Sequence, residues 1–187
     1  KRDWSSDVCS SDLYGRLNYK WIGLPERLDT VQVRGQTSNW GTAIVELSRK
    51  LSEAAPGSVA IMGSARLTNE ELFLLSKLAK KTGAITDSIP RNGPSDKLLL
   101  NADRNPNSNG ARLMGIAANP MGSALPKIVD GVKSGKITTL FVFGEDVTKH
   151  GIGAEVLAKV QTLVACDILP NATTKAAHYV LDRKSTR

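Results

Sequence analysis

Two short turns, each following an apolar run, carry the residues of this chain that are best suited to bind a ligand. Gly63 and Ser64 follow the run 59–62, and Gly144 and Glu145 follow a second run later in the chain. Each turn precedes a predicted helix, so both should lie at the carboxyl edge of a parallel sheet, where backbone N–H groups can hold an anion. The alternative is that these small residues only let the chain turn.

A strand–turn–helix unit is predicted to hold the first of these turns. Residues 59–62 form an apolar run typical of a strand buried on both faces. Thr68 and Glu71 have the spacing of a capping box and mark the start of a helix over 69–80. This helix is apolar on almost all sides, so we expect it to lie between layers of a larger body and not on a surface.

The remaining pattern alternates helices and strands. Helices are predicted over 38–54, 123–134 and 154–162 with a helical turn at 173–176, strands at 84–86, 137–143, 163–166 and 179–181, and a long loop over 91–120. This alternation predicts an α/β fold: a doubly wound, mostly parallel sheet with helices on both faces. We expect the sheet to be truncated at both ends, with an apolar edge left unpaired near Leu181 and low stability as a result.

The two ends of the chain differ in texture from its body. Residues 7–12 can be encoded GAC GTG TGC TCT TCC GAT C, and the reverse complement of that string translates as residues 182–187. Both ends resemble a sequencing adapter read in frame, the alternative being a Ser/Asp-rich disordered tail at each end. We therefore divide the chain into a tail (1–13), a lead-in with the first helix (14–57), an α/β domain (58–181) and a second tail (182–187), and expect an internal piece of a longer protein.

Composition excludes several classes of function. The net charge is +7, but the basic residues are scattered and aromatic residues make up 5% of the chain, so no nucleic-acid surface is predicted. The two cysteines, Cys9 and Cys166, form no metal-binding motif, and no apolar run approaches the length of a membrane span. We expect no metal site here and no direct insertion into a membrane.

Several other residues invite a functional interpretation and favour a structural one. Gly151 and Gly153 form only part of a dinucleotide fingerprint. His150 and His178 have no nucleophile or acidic partner at a readable spacing, so surface or packing roles are expected. Asp103 lies in an Asn- and Pro-rich loop where local turn hydrogen bonds are the ordinary explanation.

Six blocks of sequence, in order along the chain, resemble one known family. The blocks are GRLNY (15–19), Trp40-x-x-Ala43, GSARLTNEE (63–71), ADRNPN (102–107), FVFGED (141–146) and Thr173-x-x-Ala176-x-x-Tyr179. Together they resemble the molybdopterin-oxidoreductase domain of the large iron–sulfur subunit of bacterial NADH:quinone oxidoreductase, respiratory complex I.

The resemblance implies a site and a set of partners. In molybdenum enzymes of this family the strand ends hold a pterin dinucleotide, which here would be lined by Gly63, Ser64, Asn69, Gly144 and Glu145. The iron–sulfur clusters of the family would be bound upstream of this chain. The partners would be other subunits of a membrane-associated respiratory complex, on the cytoplasmic side and peripheral to the inner membrane.

One departure from the family pattern decides between two functions. Metal-dependent relatives place a cysteine or selenocysteine ligand shortly after the strand–helix–strand unit, where this chain has Ile89 beside Ser88. A hydrocarbon side chain cannot bind a metal, so the favoured function is a scaffold without catalytic residues. The alternatives are a molybdopterin-dependent oxidoreductase of formate-dehydrogenase type, with a serine ligand at Ser88, and an unrelated doubly wound nucleotide-binding module.

Overall fold

A computed structural model describes residues 19–96, 98 and 100–183. Seven strands form one sheet: β1 (Val31–Val33), β2 (Gln36–Ser38), β3 (Val59–Gly63), β4 (Ile85–Asp87), β5 (Thr139–Phe143), β6 (Thr162–Asp167) and β7 (Tyr179–Asp182). The helices are α1 (Trp40–Glu53), α2 (Asn69–Thr82), α3 (Ser108–Leu113), α4 (Leu125–Lys133), α5 (Ala154–Leu157) and α6 (Ala172–Ala176), with 3₁₀ turns at Lys20–Gly23 and Val147–Lys149.

The sheet has the strand order β2-β1-β7-β6-β5-β3-β4. The five strands from β7 to β4 are parallel, whereas β1 pairs antiparallel with both β2 and β7. This arrangement confirms the predicted α/β class and the mostly parallel sheet. The order reverses after β4, because β5 returns to the other side of β3.

Alternate side chains of the central strands feed two separate cores. Ile61 and Phe141 point to one face of the sheet, which α1, α2 and α3 cover. Met62 and Leu140 point to the other face, which α4 and α5 cover. Because both faces are covered, the central strands read as continuous apolar runs.

The expected bare edge at Leu181 is wrong. Strand β1 lies beside β7, with Gln32 opposite Val180 and Val33 opposite Tyr179. A tight turn at Arg34 (φ +50°) and Gly35 (φ +78°) then returns the chain into β2. The short lead-in therefore supplies the neighbour that the parallel strands need.

The predicted burial of α2 on all sides is also wrong. Its capping box is present as predicted, and Leu72 and Leu75 are buried against the sheet. Phe73 and Leu74, by contrast, are 49% and 63% exposed. A helix on a single sheet presents only one stripe to the core, and no further layer covers the opposite side within the described residues.

The predicted loop over 91–120 contains a helix and a short ladder. The N–H of Gly93 donates to the carbonyl of Ala102 and that of Arg104 to the carbonyl of Arg91, each at 2.9 Å. Asn92 and Asp103 form an antiparallel bridge between these bonds. The helix predicted over 154–162 ends at Leu157, and Thr162, its predicted last residue, is the first residue of β6.

The chain termini lie partly within the described structure. Asp182, assigned to the second tail from the sequence, is the last residue of β7 and is buried. Arg183 forms an ion pair with Glu71 at 2.9 Å. The first tail and most of the 15–19 motif lie outside the described residues, so the tail assignments stay predictions.

Candidate functional site

The candidate site lies where the strand order reverses, between the carboxyl ends of β3 and β5. Gly63 lies opposite Phe143 in the parallel ladder, so the two predicted turns are adjacent. Ligands of open α/β sheets bind at such reversal points. The structure thus brings together four of the predicted residues: Gly63, Ser64, Gly144 and Glu145.

Four backbone donors between Ser64 and Thr68 are occupied within the chain. The N–H of Ser64 donates to Phe143 O at 3.0 Å, and that of Leu67 donates to Ser64 O at 3.1 Å. The Arg66 N–H donates to the Ser64 hydroxyl oxygen at 3.1 Å, and the Thr68 N–H to the Glu71 carboxylate at 2.8 Å. These four N–H groups are therefore unavailable to an anion in this arrangement.

The second turn has the same character. The Gly144 N–H donates to Cys166 O at 2.8 Å. Gly144 adopts φ +68°, a conformation that favours glycine, and an added Cβ would lie 3.3 Å from Ser64 Cβ. The backbone conformation and the contact with Ser64 therefore explain why position 144 is a glycine, without a ligand.

Gly63 is needed for packing between a strand and a loop. A Cβ at this position would lie 2.7 Å from Ile116 Cγ2, closer than van der Waals contact allows. The absence of a side chain thus lets Ile116 pack on the end of β3. The position does not require a ligand to explain its glycine.

A buried carboxylate and two arginines fill the space beyond these turns. The side chain of Glu145 has no exposed surface. Arg91 Nη1 donates to Glu145 Oε1 at 3.0 Å, and Arg91 Nη2 donates to Oε2. Arg66 Nη2 lies 3.8 Å from Glu145 Oε2 and donates to Gly144 O at 2.6 Å. Asn105 accepts from Arg91 at 2.9 Å. Half-exposed Arg66 therefore presents a cation at this edge.

Asn69, the fifth predicted residue, contacts a different part of the chain. It is the first residue of α2, and its side-chain oxygen accepts from Asn107 Nδ2 at 3.0 Å. Asn107 Nδ2 also donates to Leu67 O at 2.9 Å. Asn69 thus links the start of α2 to the loop before α3.

Both residues at the expected metal-ligand position are buried. Ile89 is fully buried and packs in the core under α4. The Ser88 hydroxyl is buried and donates to Gly63 O at 2.5 Å. Neither side chain is available to a metal in this arrangement.

Asp87 is the structural centre of this region. Its fully buried carboxylate accepts from four backbone N–H groups at 2.7 to 3.1 Å, those of Ser88, Ala118, Gly122 and Ala124. This carboxylate fixes the end of β4 to the loop that leads into α4.

Two ionisable groups at the end of β6 have shifted pKa values. Burial raises the pKa of the Asp167 carboxyl, which accepts from Asn171 Nδ2 at 2.8 Å. Burial raises the pKa of the Cys166 thiol to about 12, so at neutral pH it stays protonated and is a poor metal ligand.

The other predicted minor candidates have structural roles. The Asp103 carboxylate accepts from the Asn105 N–H at 2.9 Å, as a turn residue does. His178 Nδ1 accepts from the Leu163 N–H at 2.9 Å. Gly153 precedes the four-residue helix α5, and His150 is exposed.

Sequence reasoning missed the arginines and the aspartate that organise the site. Arg66 and Arg91 contact Gly144 and Glu145 from 78 and 54 residues away, so no local pattern links them. Asp87 carried a local signal, since an acidic residue directly after an apolar strand often organises the following turn.

Two findings concern only the part of the chain that the structure describes. Within residues 19–96, 98 and 100–183, no group of three or more His, Cys, Asp or Glu side chains is placed to hold a metal ion. No helix in the same range combines the length and the apolar character needed to cross a bilayer.

Comparison with known proteins finds similarity to a curated oxidoreductase subunit. The chain is 36% identical over 96 residues to the alpha subunit of the NADPH-Fe(3+) oxidoreductase of Geobacter sulfurreducens, in both strains DL-1/KN400 and ATCC 51573/DSM 12127/PCA. The match covers 48% of this chain and 11% of the relative, so the chain spans about a ninth of the length of the curated relatives it matches. No protein-family model matches the chain.

This similarity supports the broad class of the resemblance and not its detail. The relative is named as one subunit of an oxidoreductase. This agrees with the prediction that the chain is part of an oxidoreductase that has several subunits. The name of the relative does not refer to complex I, so that finer part of the resemblance stays a prediction.

Proposed function

We propose that this chain is a scaffold part of a multi-subunit oxidoreductase, of the type found in the large iron–sulfur subunit of NADH:quinone oxidoreductases. In this proposal the domain holds its neighbours in place, and electrons pass through iron–sulfur clusters in other parts of the longer polypeptide. The subunit would be cytoplasmic and would reach the inner membrane only through its partner subunits.

The observation that carries this proposal is the burial of Ile89. Redox-active relatives present sulfur or selenium at the corresponding position, whereas Ile89 lies in the core with no exposed surface. A metal ligand at this position would require a side chain that carries a donor atom and that points out of the core.

The turns themselves support the same conclusion. A pterin dinucleotide needs free N–H donors for its phosphates, but the N–H groups of Ser64 and Gly144 are bonded to neighbouring strands. The carboxylate of Glu145 is committed to Arg91. In this arrangement these groups are not available to a dinucleotide, and the proposal assigns it no role in this domain.

One observation favours the molybdopterin-dependent alternative. Half of the Arg66 side chain is exposed at the strand edge, and a guanidinium group is a good partner for a phosphate. A guanidinium group carries five N–H donors, so in this alternative Arg66 would contact a phosphate while its Nη2 still donates to Gly144 O.

Metal analysis of the complete subunit tests the proposal. We expect iron in stoichiometric amounts, without molybdenum or tungsten, in the protein purified from its own host. Stoichiometric molybdenum or tungsten would overturn the scaffold and support the alternative. Calorimetric titration of the chain with NAD and ATP tests the remaining hypothesis, because tight binding of either would indicate an unrelated nucleotide-binding module.

A further inference from the structure

The two faces of the molecule differ in the apolar surface that their helices expose. On the first face, the helices α1, α2 and α3 expose six large apolar side chains: Trp40, Ile44, Val45, Phe73, Leu74 and Leu113. On the other face, the described residues of α4, α5 and α6 expose none. A face that exposes several large apolar side chains is a candidate interaction surface.

A groove crosses the first face between α2 and α3, above the edge strand β4. We call it the α2–α3 groove; its volume is about 470 Å³, and it is lined by Ser76, Ala79, Lys80, Gly83, Ala84, Thr86, Leu113, Met114 and Gly115. Small residues dominate its lining, so an apolar side chain from outside can approach the backbone closely. Leu113, at its rim, is 83% exposed.

The same side of α2 is positively charged. Phe73, Lys77 and Lys80 are spaced by four and three residues and so lie on one stripe of the helix. The Lys77 ammonium lies 4.8 Å from the centre of the Phe73 ring. Among the described residues, no carboxylate lies within ion-pair distance of Lys77, Lys80 or Lys81.

The acidic residues of α2 lie at its other end. Glu70 and Glu71 are in the first turn, and Glu71 is paired with Arg183. The groove therefore combines apolar lining residues with Lys80, and Lys77 lies one turn away on the same stripe of α2. Electrostatic complementarity requires carboxylates on whatever covers it.

We propose that the α2–α3 groove docks a segment of a partner subunit that combines an apolar anchor with flanking Asp or Glu residues. The anchor packs between Leu113, Met114 and the small residues of the groove, and the carboxylates face Lys77 and Lys80. This inference rests on the proposed membership of a multi-subunit complex, and it is independent of whether the domain binds a pterin.

Site-specific crosslinking in the assembled complex tests this docking site. Within the complete subunit, a photoreactive phenylalanine analogue replaces Leu113. In the matched control it replaces Lys127, an exposed residue of α4. We expect position 113, and not position 127, to crosslink to an acidic peptide of an identified partner subunit. No crosslink at 113, or a crosslink to a second copy, to another part of the same polypeptide or to lipid, would overturn the proposal.

Charge reversal provides the second readout. The pair Lys77→Glu and Lys80→Glu should slow association with the crosslinked partner about tenfold or more at low salt, and the effect should shrink as salt is added. The control pair Lys127→Glu and Lys133→Glu makes the same change in net charge on the opposite face. Equal slowing by both pairs would show that overall charge, and not this groove, guides binding.

These tests separate failure of the docking site from failure of the scaffold proposal. Molybdenum in the purified subunit would overturn the scaffold and leave the crosslink at residue 113 unaffected. A missing crosslink in a complex that contains iron alone would overturn only the docking site.

Discussion

The Asp87 carboxylate joins three backbone segments near the candidate site. Four backbone N–H groups converge on its two oxygens, and no part of the side chain is exposed. These four buried N–H groups all stay hydrogen-bonded only if both oxygens of the carboxylate can accept.

Asp87→Asn should therefore destabilise the protein strongly. The amide places an NH₂ group where an oxygen now accepts, so at least one buried N–H loses its partner. We expect the free energy of unfolding to fall by about 3 kcal/mol, measured by urea denaturation. The matched control is Asp130→Asn on the exposed side of α4, which should change it by less than about 0.5 kcal/mol. Equal losses in the two variants would contradict the structural role of Asp87.

His178 makes stability depend on pH. Burial, together with the nearby charges of Arg34 and Lys50, lowers the pKa of His178 below its usual value of 6.5. The unfolded chain therefore takes up a proton at a higher pH than the folded chain does. Stability is fully present above pH 6.5 and falls as the pH drops below that value toward the lowered folded pKa.

His178→Asn should flatten this dependence. The asparagine oxygen can still accept the Leu163 N–H, but the side chain no longer titrates. Urea denaturation from about pH 8 to about pH 5.5 should show a decline in the original chain and a smaller one in the variant. Identical pH profiles would show that other groups control the dependence.

At the scale of elements, sequence periodicity predicted the helices and strands more accurately than it predicted which other elements pack against them. The capping box of α2 was readable, because Thr68 and Glu71 are three residues apart. The β1–β2 hairpin was missed, because its strands have three residues each and its turn places Arg34 at a positive φ. Its pairing with β7 joins distant parts of the chain, which no local pattern encodes.

The end of β3 offers a test of strand-to-loop packing. Gly63→Ala puts a methyl group 2.7 Å from Ile116 Cγ2, so one of the two segments has to shift. We expect a loss of about 1–3 kcal/mol in the free energy of unfolding, measured by thermal or urea denaturation.

Two further variants show whether that loss comes from the contact with Ile116. Ile116→Ala removes the clashing atom, so the double variant should be more stable than the sum of the two single losses predicts. Gly23→Ala, whose methyl would meet nothing within 4 Å, should be nearly neutral. Strict additivity of Gly63→Ala and Ile116→Ala would mean that another contact is responsible.

At the scale of the whole molecule, one sheet serves two cores. Strands β3, β5 and β6 lie at its centre with neighbours on both sides, whereas β2 and β4 are its edges. The candidate site could be predicted to lie at the carboxyl ends of the central strands, since Gly63 and Gly144 follow apolar runs. Its closure by Arg66, Arg91 and Glu145 could not, because it depends on contacts made only after the sheet assembles.

Hydrogen exchange should follow this layout. Amides of β3, β5 and β6 should exchange most slowly, because opening them requires the loss of both cores. Amides of the β1–β2 hairpin should exchange sooner, and those of the loop segments 91–96 and 100–107, which lie outside the sheet, soonest. Mass spectrometry of the intact chain at peptide resolution measures all three. Protection of the hairpin equal to that of β5 would show that the edge and the centre open together.

The ladder between Arg91 and Arg104 has a practical consequence for studying the complex. The Gly93–Ala102 and Arg104–Arg91 bonds hold two segments side by side, and Leu98, in the connection between them, is 85% exposed. Strands paired in this way keep their ends about 5 Å apart. The two ends of a fluorescent or affinity reporter inserted at Leu98 would therefore join segments that lie close together. The subunit can be labelled internally in this way without a change in the seven-stranded sheet.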